Sequence, residues 1–451
     1  MSAVSTGSDM RDAERAETLS AQGRAALGAG VVGNWVDALH IFLPLVALAP
    51  ALDHVTGPWA PSLAGAVAVT AMLLGRPVGA VILGRVADRI GRSRTTCLAT
   101  AGTALCALAI AVLPTHALLG PACLGLLIAL RFAAGVLVAG EYSAAIPLAM
   151  EWCRPPRRGL ASGLILSMAP LAQATIAFGT AGLLTALGPD TYSVWGWRLL
   201  FLAGAGASLG MTLYYRRHVP DSPSFHREAA RRIPGAAHPT LRSLLRGQWA
   251  RPFWQCFVMM SGLWLLTTAT VLILTSRISA GPSVTMPSVA VVMGAAALVQ
   301  AAAMILAGHW STLVGRRRLL AAWGLTASTL GVLVWHAALA STTLPGAIMG
   351  VAVLQAATVS AYGPVAAYLC ERFPTEVRST GYGSAYSLSL IVPSLYPLYL
   401  PVLESMLGRG ADTLLVILGG GLLSLGALAG PSLAPRDTAM GLDEIVRAGG
   451  R

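Results

Sequence analysis

Long apolar stretches alternate with short polar segments along almost the whole chain. Each stretch is long enough to cross about 30 Å of hydrocarbon as a helix. The pattern predicts an all-α polytopic membrane protein with twelve membrane-spanning helices. These are spans 1 to 12, over residues 28–50, 62–84, 96–115, 120–150, 160–187, 198–216, 253–276, 287–308, 318–340, 344–371, 381–403 and 412–433.

Two short polar segments occur twice, in the same order. Residues 84–94 match residues 308–318, and residues 151–159 match residues 371–381. The copies lie 224 and 220 residues apart, about half the chain. Two parallel copies of one membrane unit are the plan of a transporter with two pseudo-symmetric halves. We therefore expect the chain to divide into a tail 1–27, a six-helix bundle 28–216, a linker 217–252, a second six-helix bundle 253–433 and a tail 434–451.

The composition excludes several other classes of protein. Hydrophobic residues make up 55% of the chain and charged residues 11%, against about 25% charged in a soluble domain. Every basic residue is Arg, so neither a P-loop lysine nor a Schiff-base lysine is present. The six Cys show no metal-ligand spacing and are expected to be free thiols. We expect no cofactor, no metal and no enzymatic activity.

The arginines fall mostly in the loops of one side. The tails, the linker and the loops after spans 2, 4, 8 and 10 hold 26 of the 31 basic residues, whereas the opposite loops hold Arg198, Arg277 and Arg409. By the positive-inside rule both termini and the linker are expected to be cytoplasmic. The net charge of +12 is therefore not a nucleic-acid signal. The C-terminal tail is expected to be solvated, with at most one helical turn near residues 442–446.

Ionisable side chains inside spans are costly and are candidates for function. Asp37, Arg76 and Glu141 are expected at a similar depth, since a helix rises about 1.5 Å per residue. We predict that Asp37, with Glu141, takes a proton, and that Arg76 and Arg131 face an anionic substrate. The alternative is a structural ion pair that locks the helices. His40 and His336 are interpreted mainly as packing residues.

The second half offers mostly hydroxyl and amide groups within its spans. Tyr362 and Tyr386 are candidates to line a substrate cavity by hydrogen bonding. The alternative, a Tyr at a helix interface or at the lipid headgroups, also fits their positions.

Six motifs, in order, carry a resemblance to a known family. They are the segment Gly33–Asp37, Arg76-Pro77 with Gly79 followed by Asp88–Arg92, Arg131 with Ala139–Tyr142, Trp195–Phe201, Arg216-Arg217 with Asp221–Phe225, and Phe373–Gly381. The chain resembles the major facilitator superfamily and, within it, the metabolite:proton symporter family of bacteria. It departs at Asn34, where that family has Glu, and at Thr312 and Leu313, where the second loop copy usually has Asp-Arg.

The resemblance implies a monomeric, multi-pass transporter of the bacterial inner membrane. It would carry a small carboxylate or a zwitterionic metabolite together with protons, by alternating access. The implied cytoplasmic gate consists of Gly84, Asp88, Arg89, Gly91 and Arg92, with Arg316 in the second copy. Two alternatives remain open: a proton-driven exporter of a metabolite, and a non-transporting membrane sensor or enzyme.

Overall fold

The computed structural model describes residues 19–57, 61–231, 241–279, 286–408, 410–432 and 440–449. These ranges are helical, with short turns and no strand. The predicted placements of residues 1–18, of linker residues 232–240 and of tail residues 433–439 lie outside the described residues, as does Arg409.

The first half contains six long helices that overlap the predicted spans 1 to 6, and we keep those span numbers. Their bounds are Ala21–Phe42 (span 1), Pro61–Ile90 (span 2), Arg92–Ala111 (span 3), Ala122–Trp152 (span 4), Arg158–Thr191 (span 5) and Trp197–His218 (span 6). Span 1 continues as a π-helix over Leu43–Ala47. Spans 5 and 6 form one helical stretch that is broken at Gly188, where φ is 75°.

The second half repeats the arrangement with more interruptions. Its helices are Ala250–Thr267 with the π-helical Thr268–Ile273 and Leu274–Ser279 (span 7), Met286–Val314 (span 8), Arg316–Ser328 with Leu330–Leu339 (span 9), Leu344–Ala357 with Val359–Tyr362 and Val365–Cys370 (span 10), Arg378–Leu388 with Ile391–Ser394 and Tyr396–Leu407 (span 11), and Gly410–Leu428 (span 12). Two short helices, Pro223–Arg231 and Leu241–Arg246, lie in the linker.

Within the described ranges, the number of membrane-spanning helices agrees with the predicted number of spans. Nine are long and apolar enough to cross a membrane. Two further spans are helix pairs bent by 44° and 47°. The stretch Pro155–His218 counts as one of the nine but contains two predicted spans, on either side of Gly188. The predicted twelve-helix, all-α architecture in two six-helix halves is therefore confirmed.

Two helix pairs hold the halves together. Span 2 packs against span 11, and span 5 packs against span 8. Glycines set the close approach of spans 5 and 8: a Cβ on Gly159 would collide with the carbonyl of Gly308, and a Cβ on Gly308 would collide with that of Gly159. In both pairs the helices are in contact at the end of the molecule that carries the loops after spans 2, 4, 8 and 10. We call this end the Arg-rich face.

The C-terminal tail differs from its expected solvated state. Residues Leu442–Gly449 form a helix that docks on the Arg-rich face. Leu442 and Ile445 are buried, and Asp443 accepts a hydrogen bond from Arg378 at 2.6 Å. The expectation was wrong because a short tail with few apolar residues gives no sign that it packs against another surface of the same protein.

Candidate functional site

Arg76 lies in the middle of span 2, directly before Pro77. Its guanidinium carbon is 4.8 Å from the ring centroid of Tyr142, 5.2 Å from that of Trp264 and 5.6 Å from that of Tyr386. Tyr142 belongs to the first half, and the other two rings belong to the second. Aromatic faces attract a cation at such distances, so the arginine is held between the halves by rings from both.

A cavity of about 120 Å³ lies beside this arginine, between the two halves. Spans 1, 2, 4 and 5 line it from one side, and spans 7, 8, 10 and 11 from the other. Both tyrosines proposed from the sequence, Tyr362 and Tyr386, are in its wall. The lining residues are Ile41, Phe42, Leu45, Val69, Leu73, Arg76, Tyr142, Leu166, Ala169, Pro170, Gln173, Trp264, Thr267, Thr268, Val271, Leu272, Gln300, Met304, Tyr362, Tyr386 and Leu390.

Arg76 is the one charged side chain in this lining, as far as the described residues go. The residue is 1% exposed. Its Nε and Nη2 atoms have no hydrogen-bond partner in the described part of the chain. Buried polar groups are normally hydrogen-bonded, because an unmade hydrogen bond away from water is costly. These two N–H groups are therefore donors that the described residues leave free for an anionic ligand.

The acids Asp37 and Glu141 form a pair next to the arginine. Both are buried and lie close enough for their charges to interact, while the Glu141 carboxyl oxygens have no described hydrogen-bond partner. No arginine or histidine of the described residues makes a salt bridge with either acid. Two buried carboxylates that repel each other are costly to ionise together, so one of them favours the protonated form. The pair can thus hold and release a proton.

The acid pair does not line the cavity itself. Glu141 precedes Tyr142 on span 4, and the Tyr142 ring stacks on Tyr386 with its centroid 5.5 Å away. Asp37 lies close enough to Arg76 for their charges to interact. Each acid thus neighbours a residue of the cavity wall, Asp37 next to Arg76 and Glu141 next to Tyr142.

Arg131 occupies a different place from the expected one. It donates a hydrogen bond to the backbone carbonyl of His40 at 3.0 Å and contacts the sulfur of Met72, and it does not line the cavity. It ties span 4 to span 1 in this conformation. The two histidines pair with hydroxyl groups, His40 with Ser208 at 2.7 Å and His336 with Thr413 at 3.2 Å.

The predicted gate residues meet at the Arg-rich face. The carboxylate of Asp88 accepts hydrogen bonds from the backbone N–H of Ser379 at 3.0 Å and of Thr380 at 2.8 Å, and from the Thr380 hydroxyl at 2.7 Å. These N–H groups begin span 11, where a helix favours negative charge. Gly84 permits the approach, since a Cβ there would come within 3.0 Å of the Thr380 Cα.

Each half has a matching arginine–glutamate pair. Arg92 donates to Glu151 at 2.6 Å, and Arg316 makes two bonds of 2.6 Å to Glu371. The glycine before each arginine, Gly91 or Gly315, has a positive φ of 109° or 97°. A left-handed turn followed by a buried ion pair thus occurs twice, once in each copy of the sequence repeat.

Arg92 also joins the two halves. It donates to the Thr375 carbonyl at 2.9 Å and to the Ser379 hydroxyl at 3.0 Å, while Arg378 of the second half donates to Glu151 of the first. Arg89 is instead exposed, in a small depression that Asp88 and Glu376 also line. The Arg-rich face is closed by these contacts.

Several residues of the site were missed in the sequence. Trp264 supplies one of the three aromatic rings around Arg76, and Gln173 supplies a polar group of the cavity lining. The buried Tyr215 hydroxyl, near Glu141, has no described partner. One signal was available for Trp264, because it lies in the middle of span 7 rather than at a membrane interface, where tryptophans are usually enriched. Gln173 and Tyr215 gave no comparable signal.

The chain is similar to known membrane transport proteins. The family model of the Major Facilitator Superfamily matches residues 30–295. The chain is 26% identical over 412 residues to the inner membrane metabolite transport protein YhjE of Escherichia coli, covering 89% of this chain and 92% of that one. It is 26% identical over 395 residues to the ectoine/proline transporter ProP of Corynebacterium glutamicum, covering 81% and 75%.

The solved structures show the same fold. The proton:xylose symporter XylE bound to 6-bromo-6-deoxy-D-glucose superposes with a TM-score of 0.75 at 14% identity, covering 96% of this chain and all of that one. The family match, the relatives and the fold together confirm the resemblance drawn from the six sequence motifs. The chain belongs to the major facilitator superfamily and is a membrane transporter of metabolites rather than an enzyme.

Proposed function

We propose that the protein is a proton-coupled symporter of a small carboxylate or a zwitterionic metabolite, working by alternating access in a bacterial plasma membrane. The observation that carries the proposal is Arg76, which is buried at a cavity between the halves with two unpartnered N–H groups. Asp37, one of the two acids of the pair with Glu141, lies close to it. An anion site and a proton site therefore share one arginine.

The shared arginine suggests how proton and substrate are coupled. When the acid pair is deprotonated, its negative charge attracts the Arg76 guanidinium away from the cavity. One proton still leaves the pair with one negative charge, so the attraction is lost only when both acids are protonated, and the N–H groups then serve the carboxylate of the substrate. The loaded site has nearly balanced charge, which lowers the cost of enclosing it between the halves.

The closed Arg-rich face supports a direction for the cycle. The positive-inside rule assigns this face to the cytoplasm, so the tails and the linker would be cytoplasmic. Asp88 and Arg92 then close the cytoplasmic side, and substrate and proton would enter from the opposite side. Opening requires Asp88 to leave the start of span 11 and the arginine–glutamate contacts between the halves to part.

Transport in proteoliposomes tests this function. Small carboxylates (succinate, 2-oxoglutarate, shikimate) and zwitterions (proline, glycine betaine) are added outside, and an enclosed pH dye reports proton entry. We expect at least one compound to carry protons inward and to accumulate when the outside is acidic. Accumulation only when the inside is acidic would indicate an exporter instead. No substrate-dependent proton movement with any compound would contradict the proposal.

Variants locate the proton site. Asp37→Asn should abolish uphill uptake but retain exchange of labelled for unlabelled substrate, which needs no net proton transfer. Asp53→Asn, at an exposed acid near the end of span 1, is the matched control and should transport as the unmodified protein does. Uphill accumulation by Asp37→Asn protein would remove Asp37 from the proton path.

A further inference from the structure

The polar groups of the cavity are few, and their chemistry limits what it binds. In the described residues, Arg76 is the single charged lining group, and no Asp or Glu is in the wall. The lining atoms that are buried without a partner are Nε and Nη2 of Arg76 and Oε1 of Gln300. The wall therefore holds one cation, whose two unpartnered N–H groups are buried beside the cavity, and its other polar groups are neutral.

The single cation favours a ligand with one negative charge. A carboxylate matches the forked N–H groups of a guanidinium. A second carboxylate on the same ligand would enter this buried site without a counter-charge, at a high desolvation cost. A dicarboxylate is therefore a poor fit to the cavity.

A zwitterion is also a poor fit, for a different reason. Its ammonium group would need a carboxylate or a set of aromatic faces. The cavity wall offers no carboxylate, and the faces of Tyr142, Trp264 and Tyr386 already surround the Arg76 guanidinium. A second cation among the same three rings would be repelled by the Arg76 guanidinium.

The remainder of the wall is apolar. Side chains such as Ile41, Phe42, Leu73, Leu166 and Leu390 make up most of the lining. A sugar or polyol would leave several hydroxyl groups unpaired against such a wall, which strongly disfavours binding. An aliphatic or aromatic body would instead gain from burial there.

We propose that the substrate is a monocarboxylate with an apolar body, bound with its carboxylate on Arg76 and its body against the aliphatic wall. The unpartnered Gln300 oxygen can accept a hydrogen bond from a donor on that body. This inference rests on the proposed function, because it narrows the substrate class of the same site.

Two matched sets of ligands test it, and within a set only the charged groups differ. The first set is 3-phenylpropanoate, its amide, phenylalanine and benzylmalonate. The second is 4-methylpentanoate, its amide, leucine and isobutylmalonate. Binding to the purified full-length protein is measured by calorimetry. In at least one set we expect the monocarboxylate to bind about tenfold to a hundredfold more tightly than the amide, the zwitterion and the dianion, the range for a charge-assisted bond.

Arg76→Gln should bring the monocarboxylate and the amide to about equal affinity. Arg227→Gln, on the exposed surface of a linker helix, is the control and should keep the preference. The ligand comparison on the unmodified protein decides the question even if Arg76→Gln does not fold. Tighter binding of the zwitterion or the dianion, equal binding of the amide, or no binding in either set would overturn the inference.

Proton-coupled uptake of proline or succinate would overturn this inference while leaving the proposed function intact. Tight binding of the monocarboxylate with no proton-linked uptake would have the opposite meaning. The substrate class would then stand, and the proton symport would fail. The two failures are thus distinguishable.

Discussion

The two contacts that join the halves at the Arg-rich face are related by the sequence repeat but are built differently. In the first, the carboxylate of Asp88 accepts three hydrogen bonds at the start of span 11. We call this the carboxylate contact. In the second, Thr312 and Gly308 of span 8 meet Gly159 at the start of span 5, and the Thr312 hydroxyl has no described partner. We call this the glycine contact.

The difference shows that two copies of one repeated structure can join the halves through different interactions. The carboxylate contact depends on charge and directed hydrogen bonds, which must break whenever the face opens. The glycine contact depends on close backbone packing. The nearby Arg316 is already paired with Glu371 within its own half. We therefore expect the carboxylate contact to act as the latch, and the glycine contact to act as the surface on which the halves rock.

The largest effect is expected at the latch. Asp88→Asn keeps the size of the side chain but loses its charge and one acceptor oxygen, so the closed face is weakened by a charge-assisted interaction. Transport should fall by about tenfold or more, whereas Thr312→Ala should change it by less than about twofold. Initial uptake rates in proteoliposomes, normalised to the amount of folded protein, measure both. Equal losses in the two variants would end the distinction between the contacts.

The glycine contact should respond to volume instead. In Gly159→Ala the added methyl group collides with the Gly308 carbonyl, and overpacking of this kind costs about 1–3 kcal/mol. We expect a lower Tm in detergent and slower transport. Gly182→Ala on the same span is the control, because a Cβ there meets nothing within 4 Å. A Gly159→Ala protein as stable as the Gly182→Ala protein would show that backbone packing is not what joins spans 5 and 8.

A carboxylate introduced at the glycine contact should make it close in the same way as the carboxylate contact. Thr312→Asp places a negative charge at the start of span 5, where a helix N-terminus favours it by about 0.3–1 kcal/mol. We expect slightly higher thermal stability and slower turnover, because both contacts would then have to break. Thr312→Asn, which adds the size without the charge, is the comparison. Faster turnover in Thr312→Asp protein would contradict a latch role for such a carboxylate.

The smallest effect concerns the tail helix, whose Asp443 contacts residues next to the carboxylate contact. Asp443 bonds Arg378 and the Thr375 backbone N–H, but its side chain is 38% exposed, so the pair is worth at most about 1 kcal/mol. Burial raises the pKa of Asp443, but the Arg378 charge and the Thr375 hydrogen bonds outweigh burial and hold the pKa below its ordinary value of 3.8.

The sign of that shift sets the pH dependence of tail docking. A lowered pKa stabilises the docked tail above pH 3.8, and the contribution is lost as the pH falls through the lowered value. The protection factors for hydrogen exchange in residues 442–449 should therefore be the same at pH 6 and pH 8 and should fall in Asp443→Asn protein. Unchanged exchange in the variant would mean that Leu442 and Ile445 hold the tail without Asp443.

Much of the fold could be predicted because its signals are local and repeated. Each span is a continuous apolar stretch, and lipid leaves the backbone of such a stretch few options other than a helix. The paired arginines and glutamates, Arg92 with Glu151 and Arg316 with Glu371, could be found because each motif occurs twice at almost the same offset. The tail helix could not, because its stability comes from a surface made by distant residues.

The candidate site was only partly predictable. The sequence marked Asp37, Arg76 and Glu141, because a charge in a span is conspicuous, but it could not show which of them faces the cavity. Arg131 was expected to face the cavity for the same reason as Arg76, yet its guanidinium donates to the His40 carbonyl. Charge alone does not give direction, since the orientation of a side chain depends on the rotation of its helix and on its neighbours.

The sequence by itself determined the twelve helices, their two-fold repeat and the small set of charged groups that the membrane must accommodate, because hydrophobic length and the cost of buried charge act locally. The tertiary structure alone decided the aromatic cage around Arg76, since Tyr142, Trp264 and Tyr386 come from three spans in two halves. It also decided that one contact between the halves closes through a carboxylate and the other through glycines. These features depend on distances between residues far apart in the chain, which packing sets and composition does not.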